Sequence, residues 1–201
     1  MCRQHNLKLF LCGRIILTTY RLFPASLGSL NIRSGVKKAA VLHDIISDRQ
    51  IEVLAIHESW IPSDAPAAVK NDVAPVGYNA LHVHRELRSD GPKRVGGYAV
   101  VHHNSLAVRD FSLPTGSIQS KAFEMQLVHI TSSNSRSVFL SNIYRLPSCH
   151  VPQCLDALAL VVTFIYTASN DRLVLCVVVN CPGVDGTFVG DSLASLLTHS
   201  D

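Results

Sequence analysis

Four apolar runs of this 201-residue chain are each followed closely by a polar side chain of a type that can bind ions or phosphate. The four residues are Asn31, Glu58, Tyr144 and Asn180. Strand ends in α/β folds are where ligand groups converge, so we predict that these residues lie close together. Amide, carboxylate and phenol groups suit a hard cation and a phosphate better than zinc. Polar residues also end most strands, so the spacing alone favours four ordinary strand ends over a site.

The elements that must position these residues alternate between strand and helix, followed by a block of strands. The expected helices are Val36–Ser47, capped by Ser34, then Gln153–Ala168 and Asp191–His199; the expected strands are Leu27–Asn31, Ile51–Ile56, Tyr78–His84, Val95–His103, Leu106–Phe111, Phe123–Thr131, Arg136–Tyr144 and Leu173–Val179. This order predicts an α/β fold, a sandwich of two mixed β-sheets flanked by helices.

Composition indicates one folded domain over residues 27–201, preceded by an irregular leader over 1–26. Hydrophobic residues make up 47% of the chain and charged residues 16%, which argues against disorder. Leu9–Leu17 is too short to span a bilayer and contains Arg14, although the segment partly imitates a signal peptide. The six cysteines are scattered, which favours reduced thiols and an intracellular location, cytoplasmic or nuclear.

Five sequence motifs carry a family resemblance. They are Ser29–Ser34, Ile51–Trp60, Arg94–Val100, Tyr144–Ser148 and Leu175–Asn180. In this order they resemble the endonuclease/exonuclease/phosphatase superfamily, deoxyribonuclease I-like, and in particular the endonuclease domain of LINE-type non-LTR retrotransposons. The resemblance covers about Ser29 to Leu197 and implies the deoxyribonuclease I-like fold.

The resemblance also implies a reaction, a cofactor and partners. Glu58 would hold Mg²⁺ with help from Asn31, Tyr144 would hydrogen-bond a phosphate oxygen, and Asn180 would contact the scissile phosphate. Water would attack a DNA phosphodiester while the metal neutralises developing charge. A reverse transcriptase in the parent polyprotein is a further implied partner, and no membrane is implied.

Departures from the family pattern predict that this copy is impaired. Where the family has Gly-Asp-Phe-Asn, this chain reads Val177 to Asn180, so Val178 replaces the Asp that orients and activates water. Losing a general base lowers the rate by about 10²–10⁴. The family's later Asp strand and Ser-Asp-His segment do not occur before Asp201, so we expect a C-terminally incomplete domain with weak or absent Mg²⁺ binding.

Basic residues offer a DNA contact. These are Arg85, Arg88, Lys93 and Arg94 around one turn, with Arg145 in the Tyr144–Ser148 motif. An ordinary solvated loop explains the turn about equally well. His82 and His84 alternate on one strand face, but no nearby group completes a zinc site, so solvated histidines are the default expectation.

Three functions therefore remain open. The first is an Mg²⁺-dependent endonuclease domain with little activity in this copy. The second is a non-catalytic remnant that binds nucleic acid or protein. The third is an active phosphatase or phosphodiesterase on small phosphoesters. The LINE-like sequence of Ile51–Trp60 argues against it.

Overall fold

A computed structural model of the chain describes residues 7–12, 18–21, 25–84, 96–112, 123–134, 136–145, 149–168 and 172–178. In chain order its elements are β1 (Leu7–Cys12), β2 (Thr18–Arg21), β3 (Ser26–Asn31), α1 (Ala39–Asp48), β4 (Val53–His57), α2 (Ala67–Asn71), β5 (Tyr78–Val83), β6 (Tyr98–His103), β7 (Ala107–Asp110), β8 (Phe123–Thr131), β9 (Ser137–Arg145), α3 (Val151–Ala168) and β10 (Arg172–Val178). Two compact units contain them: Arg14–Val108, here the N-unit, and Met1–Gly13 with Arg109–Asp201, here the C-unit.

The N-unit is built on a five-stranded mixed sheet in the order β2-β3-β4-β6-β5. Strands β3 and β4 run parallel, and β6 runs antiparallel to β4. The carboxyl ends of β3 and β4 therefore share one edge of the sheet with the start of β6. Asn31 and Glu58 lie at this edge, which is called the catalytic edge below because the sequence motifs predict a site there.

Helix α1 covers one face of the N-unit sheet. Its buried residues Leu42 and Ile46 pack with Leu54 and Ile56 in one apolar cluster. Full burial of side chains of this size stabilises a fold by about 1.5–3 kcal/mol each, which anchors the strands that carry the catalytic edge. All five residues of β4 are buried, as the continuous apolar run Ile51–Ile56 predicted.

The C-unit sheet has the order β1-β10-β9-β8-β7, although β7 itself straddles the boundary between the units. Parallel pairs join β1, β10 and β9, and an antiparallel pair joins β9 to β8. Helix α3 packs Leu158, Val161 and Ile165 against one face, in a cluster with Ile143 and Leu175 of the sheet. The two mixed sheets and their helices agree with the predicted α/β class.

The beginning of the chain differs from the expected irregular leader. Strand β1 pairs in parallel with β10, and β2 pairs antiparallel with β3. A strand added at a sheet edge forms hydrogen bonds with backbone groups that would otherwise be unpaired. Because the partner strand is distant in sequence, a short segment such as β1 or β2 shows no pattern from which this pairing could be predicted.

Ser34 does not cap α1, contrary to expectation. The helix begins at Ala39 with Lys38 at the N-cap and no side-chain capping bond. The backbone N–H of Ser34 instead donates to the carbonyl of Glu58 at 2.8 Å, which ties this segment to the end of β4 and delays the helix. The helix expected at Asp191–His199 lies outside the described residues.

No helix among the described residues is long and apolar enough to cross a membrane.

Candidate active site

Backbone hydrogen bonds tie the loop after β3 to the loop after β4 at the catalytic edge. Ser34 N–H donates to Glu58 O at 2.8 Å, and Gly35 N–H donates to Ser59 O at 2.6 Å. Ile32 N–H donates to His57 O at 3.2 Å. These bonds hold the backbone of Glu58 in place, which is the support that a ligand-binding side chain would need.

The start of β6 closes the same edge from the other side of β4. Ser59 N–H donates to Gly97 O at 3.1 Å, and Trp60 N–H donates to Gly96 O at 2.9 Å. Gly96 and Gly97 have φ angles of 114° and 84°, which residues with a side chain rarely adopt. The backbone conformation at these two positions thus explains why the Arg94–Val100 motif contains glycine there.

Strained backbone concentrates at this edge. Arg33, Ser34, Glu58 and Trp60 are non-glycine residues with positive φ angles of 45°, 101°, 55° and 51°. Each such conformation costs about 1–3 kcal/mol and persists only where its surroundings impose it, a pattern typical of functional sites. Of the six non-glycine residues with positive φ in the described part of the chain, these four lie at the edge that the sequence motifs also single out.

Asn31 and Glu58 present oxygen atoms from adjacent strands. Asn31 pairs in register with His57, which directly precedes Glu58. The Asn31 side chain is buried, and its Oδ1 accepts a hydrogen bond from Arg33 N–H at 3.2 Å. Glu58 is partly exposed, so its carboxylate can reach an ion or a phosphate without being carried into the core.

His57 is a residue of this edge that the sequence analysis missed. Its side chain is fully buried, and a hydrogen bond joins its Nε2 to Ser29 Oγ at 3.3 Å. Its ring meets that of Tyr98 edge-on at 6.0 Å, and its Nδ1 has no hydrogen-bond partner among the described residues. Burial lowers the pKa of His57 to about 3, so the ring is neutral at physiological pH. The sequence feature that could have identified it is a histidine that ends the apolar strand β4 directly before Glu58.

In the C-unit, Tyr144 lies near the end of β9. It is partly buried, and its Cα partners are Glu124 on β8 and Val178 on β10. Val178, where the resemblance leads us to expect an Asp, is thus the register partner of Tyr144 in the parallel pair of β10 and β9. The rest of the two motifs after Arg145 and after Val178 lies outside the described residues.

Arg145 is held inward within the C-unit. It is buried, and its Nη1 donates to the carbonyl of Cys149, two residues before α3. This bond connects the end of β9 to the segment that leads into α3. A DNA contact by Arg145 stays a prediction.

A buried amide pair lies on the face of the C-unit sheet that alternates away from α3. Asn142 Nδ2 donates to Gln126 Oε1 at 3.4 Å, and both side chains are buried. Asn142 precedes Tyr144 by two residues and therefore points to the same face. Asn142 Oδ1 has no hydrogen-bond partner among the described residues. The sequence analysis missed this pair because an Asn within Val138–Ile143 reads as one polar interruption.

The structure brings some predicted site residues together and leaves others undecided. Asn31 and Glu58 share the catalytic edge of the N-unit, whereas Tyr144 and Arg145 belong to the C-unit. Asn180, Arg85, Arg88, Lys93 and Arg94 lie outside the described residues. Convergence of Asn31, Glu58, Tyr144 and Asn180 therefore stays a prediction.

His82 and His84 are partly buried rather than freely solvated. Their rings stack at 5.7 Å, His82 Nε2 bonds to Lys70 O, and His84 Nδ1 bonds to Ile61 O. Burial, opposed in part by that bond, lowers the pKa of His82. Among the described residues no group of three or more His, Cys, Asp or Glu side chains could hold a metal ion.

Comparison with solved structures shows the fold. The endonuclease domain of TRAS1, a telomere-specific non-LTR retrotransposon, matches with a TM-score of 0.53 at 16% identity, over 86% of this chain and 68% of that one. An AP endonuclease from Leishmania major matches with a TM-score of 0.53 at 15% identity, over 75% of this chain and 54% of that one. The human Nocturnin catalytic domain matches with a TM-score of 0.56 at 11% identity, over 90% of this chain and 73% of that one.

These matches confirm the deoxyribonuclease I-like fold class and the structural likeness to a retrotransposon endonuclease domain. The chain spans between 54% and 73% of the length of these three structures. No protein-family profile and no curated protein matches the sequence.

Proposed function

We propose that this chain, which has the deoxyribonuclease I-like fold, is by descent an Mg²⁺-dependent, phosphodiester-cleaving endonuclease domain whose catalysis is impaired. The observation that carries the proposal is the placement of Glu58, a partly exposed carboxylate held by a strained and hydrogen-bonded loop at the catalytic edge. DNA is the substrate we expect, because a retrotransposon endonuclease domain is among the structures that share the fold. An intracellular location, cytoplasmic or nuclear, and a reverse transcriptase in the parent polyprotein belong to the same proposal.

The residues at the catalytic edge fit a weakly bound hard cation. Glu58 offers carboxylate oxygens, and Asn31 Oδ1 has a second lone pair besides the one that accepts from Arg33 N–H. Oxygen ligands of this kind suit Mg²⁺ better than zinc. When bound, Mg²⁺ would neutralise charge that develops on the phosphate.

The remaining roles follow from the resemblance. The Tyr144 hydroxyl would donate a hydrogen bond to a phosphate oxygen, and Asn180 would contact the scissile phosphate. Both residues would act by orienting the phosphodiester for in-line attack by water. Asn31 and Glu58 would hold the same phosphate through its metal ion.

Val178 is the reason to expect impaired catalysis. Its β10 position pairs with Tyr144, and a valine side chain has neither charge nor lone pair with which to orient and deprotonate water. Loss of such a general base lowers the rate by about 10²–10⁴. Binding of DNA does not need this group and can survive its loss.

A nicking assay on supercoiled plasmid DNA tests the proposal. The unmodified chain should show no Mg²⁺-dependent nicking above background, and a sensitive assay with a small activated phosphodiester should show at most a trace that Glu58→Ala removes. Asp64→Ala is the matched control, since Asp64 is an exposed acid in the loop that follows the catalytic edge. Strong, chelator-sensitive nicking by the unmodified chain would contradict impairment. A trace activity that Glu58→Ala leaves intact would contradict the assignment of Glu58.

Val178 also favours a second candidate, a non-catalytic remnant that binds nucleic acid or a protein. In that case DNA binding would be measurable but indifferent to both Mg²⁺ and Glu58. Titration of a fluorescent duplex with and without Mg²⁺ separates the two candidates, because only a retained metal site makes the affinity depend on Glu58.

A further inference from the structure

Residues 62–72, called the flap below, follow the catalytic edge in the chain and contain α2. The residues that flank the flap, Ile61 and Val73, are buried in the apolar cluster that α1 covers. Between them no residue is buried, and α2 itself buries none of its side chains. Segments with so little buried apolar surface are the ones that open locally while the rest of a protein stays folded.

Two histidines of the edge strand fasten this segment. His82, on β5, donates from Nε2 to Lys70 O at 2.9 Å, and His84, directly after β5, donates from Nδ1 to Ile61 O at 2.8 Å. The two rings stack with 5.7 Å between their centroids and 6° between their planes. Because each carbonyl can only accept, each neutral ring carries its proton on the bonded nitrogen. A second proton would therefore go to Nδ1 of His82 or to Nε2 of His84.

A second proton on His82 has no suitable place while the flap is closed. The Nδ1 atom is buried and has no hydrogen-bond partner among the described residues. Protonation would create a charged, buried donor without an acceptor, which is a costly arrangement in a protein interior. When the flap opens, water can reach the ring and accept that hydrogen bond.

The charges around His82 add to this cost. Burial is the largest cause that lowers the pKa of His82, and the charges of His84 and Lys70 lower it further, against the bond to Lys70 O, which raises it. On the neighbouring strand β6, Ala99 lies opposite His82 and brings no charge. The acidic side chains of α1 and of the flap are exposed to solvent, which screens their attraction; they are Asp44, Asp48, Asp64 and Asp72.

We propose that the flap and the stacked histidines form a pH-sensitive clasp, which is closed while both rings are neutral and opens locally as they take up protons. The closed flap binds fewer protons than the open flap, so opening becomes more favourable as the pH falls. The sign follows for His82, whose pKa in the closed state lies below the ordinary value of 6.5. Its contribution to closure is complete above that value and is lost progressively below it. Opening uncovers the part of β5 that α2 contacts.

Amide hydrogen exchange of the full chain, followed by mass spectrometry between about pH 7.5 and about pH 5.5, tests the clasp across the range in which histidines titrate. Dividing each rate by the intrinsic rate at the same pH gives an opening constant for the amides of α2. Amides of the buried strand β4 report global unfolding in the same samples. We expect the flap to be less protected than β4 at each pH. Its opening constant should rise by up to about tenfold per pH unit for each proton that opening takes up.

The matched variants keep the hydrogen bonds and remove the titration. The side-chain amide nitrogen of Gln replaces Nε2 in His82→Gln, and that of Asn replaces Nδ1 in His84→Asn. His43→Gln is the control, because His43 on α1 donates from Nε2 to Asp72 O at 2.9 Å and so fastens the same flap from outside the stacked pair. Urea unfolding of each variant verifies that the fold is intact.

The double variant His82→Gln/His84→Asn should lose most of the pH dependence of flap opening, whereas His43→Gln should retain it. A wild-type flap with the same opening constant at both pH values would overturn the clasp. So would a flap that shares one opening constant with β4, since the segment would then open only with the whole protein. Both of these results need the wild-type chain alone. Unchanged pH dependence in a folded double variant would assign the effect to other groups and refute the histidine pair.

Discussion

Acidification should destabilise this protein through His57, because the folded state keeps its imidazole fully buried and neutral. The side chain is fully buried, and burial lowers its pKa from the ordinary value of 6.5 to about 3. Between these two pH values His57 is protonated in the unfolded chain but stays neutral in the folded chain. The stability that His57 contributes is therefore complete above the unfolded pKa and is lost progressively as the pH falls towards the folded pKa.

The magnitude follows from the width of that window. Each pH unit inside it lowers the free energy of unfolding by about 1.4 kcal/mol. Going from about pH 7 to about pH 5 crosses roughly 1.5 units of the window, so the loss should be about 2 kcal/mol. For a chain of this size, a change of that order lowers the melting temperature by about 4–8 °C.

Urea unfolding at both pH values, for the wild type and for His57→Gln, isolates this contribution. Other groups titrate in the same range, and burial also lowers the pKa of His82 and of His102, so the quantity of interest is the difference between the two proteins. His57→Gln should lose about 2 kcal/mol less than the wild type on acidification. His150→Gln is the control, since the side chain of His150 is exposed and its replacement should leave the wild-type pH dependence unchanged.

If the wild type and His57→Gln lose equal stability on acidification, the prediction that His57 is buried and neutral in the folded state is refuted. A two-dimensional NMR titration gives the same answer by another route. The His57 ring signals should not shift between about pH 7 and about pH 5, whereas an exposed imidazole passes through its midpoint there.

Two other predictions concern the metal and the core. Mg²⁺ affinity measured by titration calorimetry should be millimolar or weaker, because Glu58 is the one full negative charge assigned to the site and affinity rises with carboxylate count; micromolar affinity that survives Glu58→Gln would contradict the assignment. Gly28→Ala should lower the free energy of unfolding by about 1–3 kcal/mol, because an added Cβ would lie 3.0 Å from the side-chain methyl carbons Ile51 Cδ1 and Leu54 Cδ1. Urea denaturation at neutral pH measures this free energy. An unchanged midpoint would show that the two side chains move aside freely.

Long apolar runs predicted the strands and the main helices well, because burial decides them locally. Strand β8 has the predicted bounds, Phe123–Thr131, and α3 begins two residues before the predicted start at Gln153. Strand β4 is shifted by a residue or two, to Val53–His57, since its pairing with β3 and β6 sets its limits. The class of fold could therefore be read from the sequence.

Features that depend on distant hydrogen bonds could not be predicted in the same way. The loop from Ile32 to Lys38 resembles a helix start, yet its backbone bonds to Glu58 and Ser59 hold it outside the helix. His57 looks like an ordinary polar strand end until the structure shows it fully buried. Asn31 and Glu58 could be proposed from the sequence because each follows an apolar run inside a family motif.

The most direct test of a shared metal and phosphate site is paramagnetic broadening by Mn²⁺ in NMR spectra of the full chain. Mn²⁺ replaces Mg²⁺ at oxygen ligands and broadens nearby amide signals even when binding is weak. The account predicts that sub-stoichiometric Mn²⁺ broadens the amides of Asn31, Glu58, Tyr144 and Asn180 together, and that Glu58→Gln removes the effect. Broadening confined to residues remote from Glu58, or unchanged in Glu58→Gln, would contradict it.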